Sequence, residues 1–330
     1  MLTRRQLLTT AAAAGLATYG GDSHAQAPQT VDGWPSRPVR VLSPTGSGGP
    51  SQNFRMYAEH LKDAFGQNFF LENLPGGSGA LGLQQVVRSA PDGHSLLLAS
   101  NSHIVLAPLV LPNFPANYTQ FDPIALLFRF RFLLLANHEV PVRTLAELVD
   151  YAKKRPGQLN FGSPGVGTGG HLVTELMVKR TGIEAVHVPY QATTQQMMAA
   201  AGGTLQFTFD TIGNSRGMVD AGKLIPLAVT GASRAESAPN IPTFKELGYE
   251  GFENLFVTNG LLAPKGASPA MIKALNREIV RLNAAGAIPE KLKAAAYEVG
   301  TGTAEDYAAS LETDHKTWSS IVNETGVRLK

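Results

Sequence analysis

Short apolar runs alternate with longer stretches whose apolar residues recur at helical spacing, and glycine- or proline-rich polar loops separate them. Val39-Arg40-Val41-Leu42-Ser43 predicts a strand, Pro44 to Gly49 a loop, and Phe54, Ala58, Leu61 and Phe65 the buried stripe of a helix. Phe69-Phe70-Leu71 predicts the next strand, Pro75 to Gly79 a turn, and Leu81, Val86 and Val87 a second helix. After the turn Pro91-Asp92-Gly93, the run Ser95 to Ala99 reads as a buried strand ending in the polar loop Ser100-Asn101-Ser102-His103. Strand, crossover helix and strand together predict a parallel sheet with helices on both faces.

The same alternation then repeats. Phe121 to Ala136 is extended, and Thr144 with Glu147 three residues on is a capping box that opens a helix. The strand Leu159-Asn160-Phe161 runs into the glycine-rich stretch Gly162 to His171, followed by helical spacing through Leu172, Val173 and Leu176. Further strands are expected at Ala185 to Val188, at Gln206 to Phe209 with Asp210 at the tip, and at Leu224 to Val229. Phe252 to Leu262 is a second extended crossing. The remainder is helical, opened by Ser268-Pro269 and later by Thr303 with Asp306. Two similar units joined by two crossings predict an α/β fold of two lobes, each a mainly parallel sheet flanked by helices. Lobe I is expected to hold residues 28–131 and 259–330, lobe II residues 132–258, with the hinge near Phe132 and Val257.

Composition narrows the setting. A chain of 330 residues that is 43% hydrophobic can bury two ordinary cores, and a net charge of +2 without Lys/Arg runs interleaved with aromatics gives no footprint for nucleic acid. The absence of cysteine excludes disulfides, thiolate catalysis and cysteine-ligated metals. At the N-terminus, Arg4-Arg5 precedes a small apolar run from Thr9 to Ala17, and Ser23-His24-Ala25-Gln26-Ala27 supplies a peptidase site. Residues 1–27 are therefore expected to be a cleavable signal of either the general or the twin-arginine type, and the mature protein to be soluble outside the cytoplasm.

In an open parallel sheet, ligands sit beyond the carboxyl ends of the strands. The loops there are Pro44 to Gly49, Pro75 to Gly79, Ser100 to His103, Ser163 to His171, Pro189 to Gln191 and Asp210-Thr211. They contain no Lys or Arg and one carboxylate. Gly165-x-Gly167-x-x-Gly170 matches a dinucleotide fingerprint, but Val188-Pro189-Tyr190 stands where an acidic residue should meet the ribose. Ser78 fails the nucleophile-elbow pattern because Ala80 replaces its last glycine. His103 and His171 have no carboxylate spaced to orient them, and His171 with Glu175 is too few groups for a metal. Asp210 either caps the helix after Thr211 or pairs with a ligand ammonium. What remains is binding by neutral dipoles: helix N-termini and hydroxyls hold a carboxylate at roughly 1.5–3 kcal/mol per charge-assisted hydrogen bond. No cofactor or metal is expected.

The chain also resembles a known family. Trp34 to Arg40, Pro44 to Gly49, Glu72-Asn73-Leu74-Pro75-Gly76, Ala90-Pro91-Asp92-Gly93-His94, Gln158 to Phe161 and His187-Val188-Pro189-Tyr190 carry the likeness. It continues through Gly222-Lys223-Leu224, Leu227 to Thr230, Ile241-Pro242-Thr243, Gly260 to Pro264 and Gly326-Val327. These are similar to the Bug-type extracytoplasmic solute receptors, the periplasmic components of tripartite tricarboxylate transporters. The resemblance implies a monomeric, two-lobed periplasmic-binding-protein-like receptor that closes over a small organic acid, amino acid or related solute and hands it to a membrane permease. It places the ligand-binding residues at Thr45, Ser47, Gly48, Gly49, Ser78, Gly79, Asn101, Ser102, Ser163, Gly165, Gly167, Thr168, His171, Tyr190 and Asp210. The chain departs from the family pattern at Thr45, commonly aromatic, near Gln52, commonly Asp, and at Gln191-Ala192, commonly Lys-Gly. A secreted enzyme on the same frame and a receptor feeding a membrane sensor are the competing readings.

Overall fold

The computed structural model describes residues 30–46 and 49–328. The expected signal at residues 1–27 and the loop residues Ser47 and Gly48 lie outside the described residues. The first unit runs β1 (Val39–Ser43), α1 (Gly49–Phe65), β2 (Phe69–Asn73), α2 (Ala80–Val87), β3 (Ser95–Ser100) and α3 (Ala107–Val110), followed by β4 (Phe121–Asn137). The second runs α4 (Leu145–Lys153), β5 (Leu159–Ser163), α5 (Gly169–Thr181), β6 (Ala185–Pro189), α6 (Thr193–Ala201), β7 (Phe207–Thr211), α7 (Ile212–Asp220) and β8 (Leu224–Val229). The chain returns through β9 (Phe256–Pro264) to α8 (Pro269–Ala284), α9 (Ala287–Ala294), β10 (Glu298–Val299) and α10 (Ala304–Thr325).

Each unit has a parallel core, β2-β1-β3 in the first and β6-β5-β7 in the second. The crossing strands add antiparallel neighbours: β9 pairs with β3 and with the first part of β4, whereas β7 and β8 pair with its last part. One 17-residue strand therefore belongs to both sheets, and its partner changes between Arg131, opposite Phe256, and Phe132, opposite Thr211. A strand that crosses and a strand that returns must run in opposite senses, which is why neither extends the parallel core.

The expected helix starts form as read. Thr144 and Glu147 close a reciprocal capping box, as do Thr303 and Asp306, and the Ser268 hydroxyl accepts the Met271 N–H. The C-terminal helix does more than complete the first unit. Tyr307, Leu311, Trp318, Ile321 and Val322 of α10 share a core with Leu42 and Leu97 of the first sheet and with Phe132, Phe161, Leu172 and Phe209 of the second. Arg180 at the end of α5 forms a two-pronged ion pair with Glu324, so α10 backs both halves.

Candidate functional site

The glycine-rich stretch after β5 is held by its own side chains. Ser163, at 0% exposure, accepts the Gly165 N–H at 3.3 Å and donates to the Gly165 carbonyl at 2.9 Å, to which the Thr168 hydroxyl donates at 2.8 Å. His171 Nδ1 accepts the Gly167 N–H at 3.1 Å, which puts its ring proton on Nε2, 3.4 Å from Glu175 Oε1. The N–H groups of Gly165 and Gly167 are thus committed to the loop. Those of Gly169, Gly170 and His171, the buried first turn of α5, lack intrahelical partners. Glycine is required twice here: Gly167 has φ +77° and a Cβ there would lie 2.6 Å from Val110 of α3, while one on Gly169 would lie 2.7 Å from Phe132.

The first unit presents a matching arrangement. Ser51 donates to the Gly46 carbonyl at 3.2 Å, and the Asn73 amide donates to Thr45 O at 2.9 Å, Gly46 O at 3.2 Å and Ser51 Oγ at 2.7 Å. This fixes the loop that enters α1 at Gly49. Ser78 sits in the left-handed region at φ 55° and is exposed.

Two cavities lie between the halves and a third lies within the first unit. One of about 240 Å³ joins Ser78, Ser102 and Val110 to Pro164, Gly167 and Thr168. Another, about 100 Å³, is lined by Thr45, Pro50, His103, Phe130, Val257 and Asn259. The largest, about 600 Å³, lies beyond Phe130 between Arg131, Ile212, Ser233, Lys293, Tyr297 and Glu298. Ser78, Ser102, Gly167 and Thr168 thus line a cavity between the halves, Thr45 lines the one within the first unit, and Gly49 lies against the Tyr297 hydroxyl.

Other expected site residues face elsewhere. The Asn101 side chain is 1% exposed and is spent on Phe256 O, Asp314 Oδ2 and the Thr258 N–H, so it braces β9 and α10 from inside. Ser163 and His171 lie beneath the loop they hold. Gly79 caps α2 at φ 95°, packed on His103, and Tyr190 is partly buried against the core of the second unit. Asp210 does not cap α7: Thr211 does, its hydroxyl accepting the Asn214 N–H. Sequence reasoning missed Asn53, Asn259 and Tyr297. The Asn259 amide nitrogen is buried without a partner and the Asn53 side chain bonds the Tyr297 hydroxyl, and nothing in the local sequence distinguishes either asparagine.

Under the loop, His187 stacks on His171 with ring centroids 3.9 Å apart, and its Nε2 lies 2.7 Å from Ser163 Oγ. Burial first, then the neighbouring His171, lowers its pKa to about 4. Sign matters here: the unfolded chain takes a proton near 6.5 and the folded one near 4, so acidification across that window favours unfolding. His187→Gln is therefore expected to gain stability relative to wild type as pH falls from 6.5 to 4. The gain should reach about 1 kcal/mol for this half-exposed ring. Denaturant melts at stepped pH measure it, and a difference that does not change with pH would contradict it.

Strand-end loops from two sheet units, facing each other across a seam floored by a shared strand, define a two-lobed solute-binding protein. The chain belongs to the tripartite tricarboxylate transporter family receptors, whose family model matches residues 53–327. Among its relatives is Protein BugT of Bordetella pertussis, 29% identical over 310 residues, covering 92% of this chain and 94% of that one. Among solved structures, R. palustris Rpa4515 with adipate is 29% identical with TM-score 0.79, covering 89% of this chain and 98% of the other. The periplasmic binding protein BugD is 30% identical with TM-score 0.76, covering 90% of this chain and all of that one. Among the described residues, no helix is long and apolar enough to cross a membrane.

Proposed function

We propose that this protein is an exported receptor that captures a small carboxylate between its lobes and delivers it to a membrane permease. Lobe I comprises residues 28–131 and 259–330, and lobe II residues 132–258. They close about the Arg131/Phe132 step of β4, and residues 1–27 direct export. The observation that carries this reading is the pair of helix N-termini at one seam: α1 opening at Gly49 and α5 at Gly169, both entered through glycine and hydroxyl loops without Lys or Arg. Backbone donors and the positive ends of two helices suit an anion with no cationic side chain. The adipate held by the related Rpa4515 is an anion of this kind. The contributing residues are Thr45, Ser47, Gly48, Gly49, Ser78, Ser102, Gly167, Thr168 and Asp210, with Gly165, His171 and Ser163 shaping the loop.

A thermal-shift panel of mono- and dicarboxylates, hydroxy acids, amino acids and neutral and cationic controls tests the reading. A bound carboxylate at a hundredfold excess over its Kd is expected to stabilise the protein by about 2.7 kcal/mol. Stabilisation by amines or neutral sugars, with none by any carboxylate, would overturn the assignment.

A further inference from the structure

Beneath the glycine loop two histidines share one small space, and each holds a different part of the loop. His171 is 4% exposed, and its ring lies on that of His187 with 16° between the planes while Phe161 stacks on both. His171 Nδ1 accepts the Gly167 N–H, so that nitrogen is bare and Nε2 carries the proton toward Glu175. Ser163 has one hydroxyl proton, and spending it on the Gly165 carbonyl leaves His187 Nε2 as the donor to Ser163 Oγ. With both rings neutral, every one of these hydrogen bonds is made.

The two bare ring nitrogens are not equivalent. A proton on His187 Nδ1 leaves its bond to Ser163 in place. A proton on His171 Nδ1 consumes the lone pair that receives Gly167, so a buried N–H then faces a second N–H and the loop must move. Among the described residues, the charges that act on His187 are those of His171 and Glu175. The elements packed around the pair add no free charge to it: β5 brings Phe161 to the rings and α3 brings Val110 to Gly167. On α10, which packs on α5, Glu324 is engaged by Lys179 and Arg180, Asp314 by Asn101 and Thr258, and His315 lies against Tyr118. Asp210, at the end of β7, is bonded to Thr211 and Asn214.

We propose that His171 is an acid-released clasp on the glycine loop: with Nδ1 bare it holds Gly167 against Val110, and a proton there frees Val166, Gly167 and Thr168. With Pro164, these residues are the second unit's wall of the cavity of about 240 Å³. The loop event stands on the ring geometry. Its consequence, weaker capture in acid, rests on the carboxylate-receptor reading above.

The test is NMR on the ligand-free protein from pH 7.5 downward, over the range in which the Leu176 amide of the same helix keeps its protection. Exchange of the Gly167 amide reads the clasp, and the ring nitrogen shifts of His171 read its proton. The Gly167 protection factor is expected to fall about tenfold relative to that of Leu176, with its midpoint at the His171 ring titration. In His171→Asn, whose Oδ1 stands where Nδ1 did and takes no proton, protection should hold across the range. In His171→Ala, which has no acceptor, Gly167 should be unprotected at every pH. In His187→Gln, which keeps a donor for Ser163, the fall should persist. A His171 ring that stays neutral while the fold lasts, a Gly167 amide indifferent to that titration, protection retained in His171→Ala, or a fall lost in His187→Gln overturns the proposal. Failure of every carboxylate to bind is the separate result that removes the receptor reading, and it leaves these readouts unchanged.

Discussion

Gly167→Val is expected to lower carboxylate affinity by about ten- to hundredfold while the free protein still folds. Two effects act at one position. The residue holds φ +77°, where a side chain costs about 1–2 kcal/mol, and its Cβ would stand 2.6 Å from Val110 Cγ1 across the seam. Gly167 is buried, so the added bulk has no solvent to turn into. The clash lies between α3 and the loop after β5, and in the proposed receptor a more open arrangement of the two halves relieves it. In the proposed receptor binding brings the two halves together, so the variant loses part of its binding energy in reaching that state. Calorimetry gives the affinity and a thermal melt the fold. An affinity within twofold of wild type would show that the lobes do not close on this loop.

Asp210→Asn should stabilise the ligand-free protein by on the order of 2–3 kcal/mol at pH 8. Burial raises the Asp210 pKa to about 6, against the downward pull of the Thr211 N–H and the Asn214 amide. For a carboxyl raised on folding, the folded state takes up its proton at higher pH than the unfolded state. The penalty is therefore full above pH 6 and disappears as pH falls toward 3.8. The asparagine removes the charge, so the variant's advantage should be largest at pH 7–8 and close to nothing near pH 4. Denaturant titrations across that range read it directly, and an advantage that grows on acidification would contradict the account.

Much of the frame is legible along the chain because it rests on local signals. Apolar runs followed by glycine and then helical spacing mark β1 and β5, and the capping residues Thr144, Ser268 and Thr303 mark the helix starts that form there. The apolar run from Phe121 to Asn137 reads as extended, but nothing in it announces the change of partners at Arg131/Phe132. That change depends on where residues more than seventy positions away return to the sheet. The same limit governs the site. Asn101 sits in a strand-end loop and reads as a ligand contact, yet its amide is taken by Asp314, 213 residues further on. His171 reads as a site group and is consumed by the Gly167 N–H four residues away. Tyr297 acquires meaning only once the fold sets its hydroxyl against the start of α1. Polar character and loop position identify where a ligand sits, whereas which atoms remain free for it is decided by the folded partners.

Hydrogen exchange read by mass spectrometry, with and without the tightest-binding carboxylate, tests the central claim most directly. If one anion is held between the lobes, amides in both 45–51 and 166–171 gain protection together at the same ligand concentration. Protection confined to one lobe, or centred on the cavity between Ser233 and Lys293 with both loops unchanged, would contradict it.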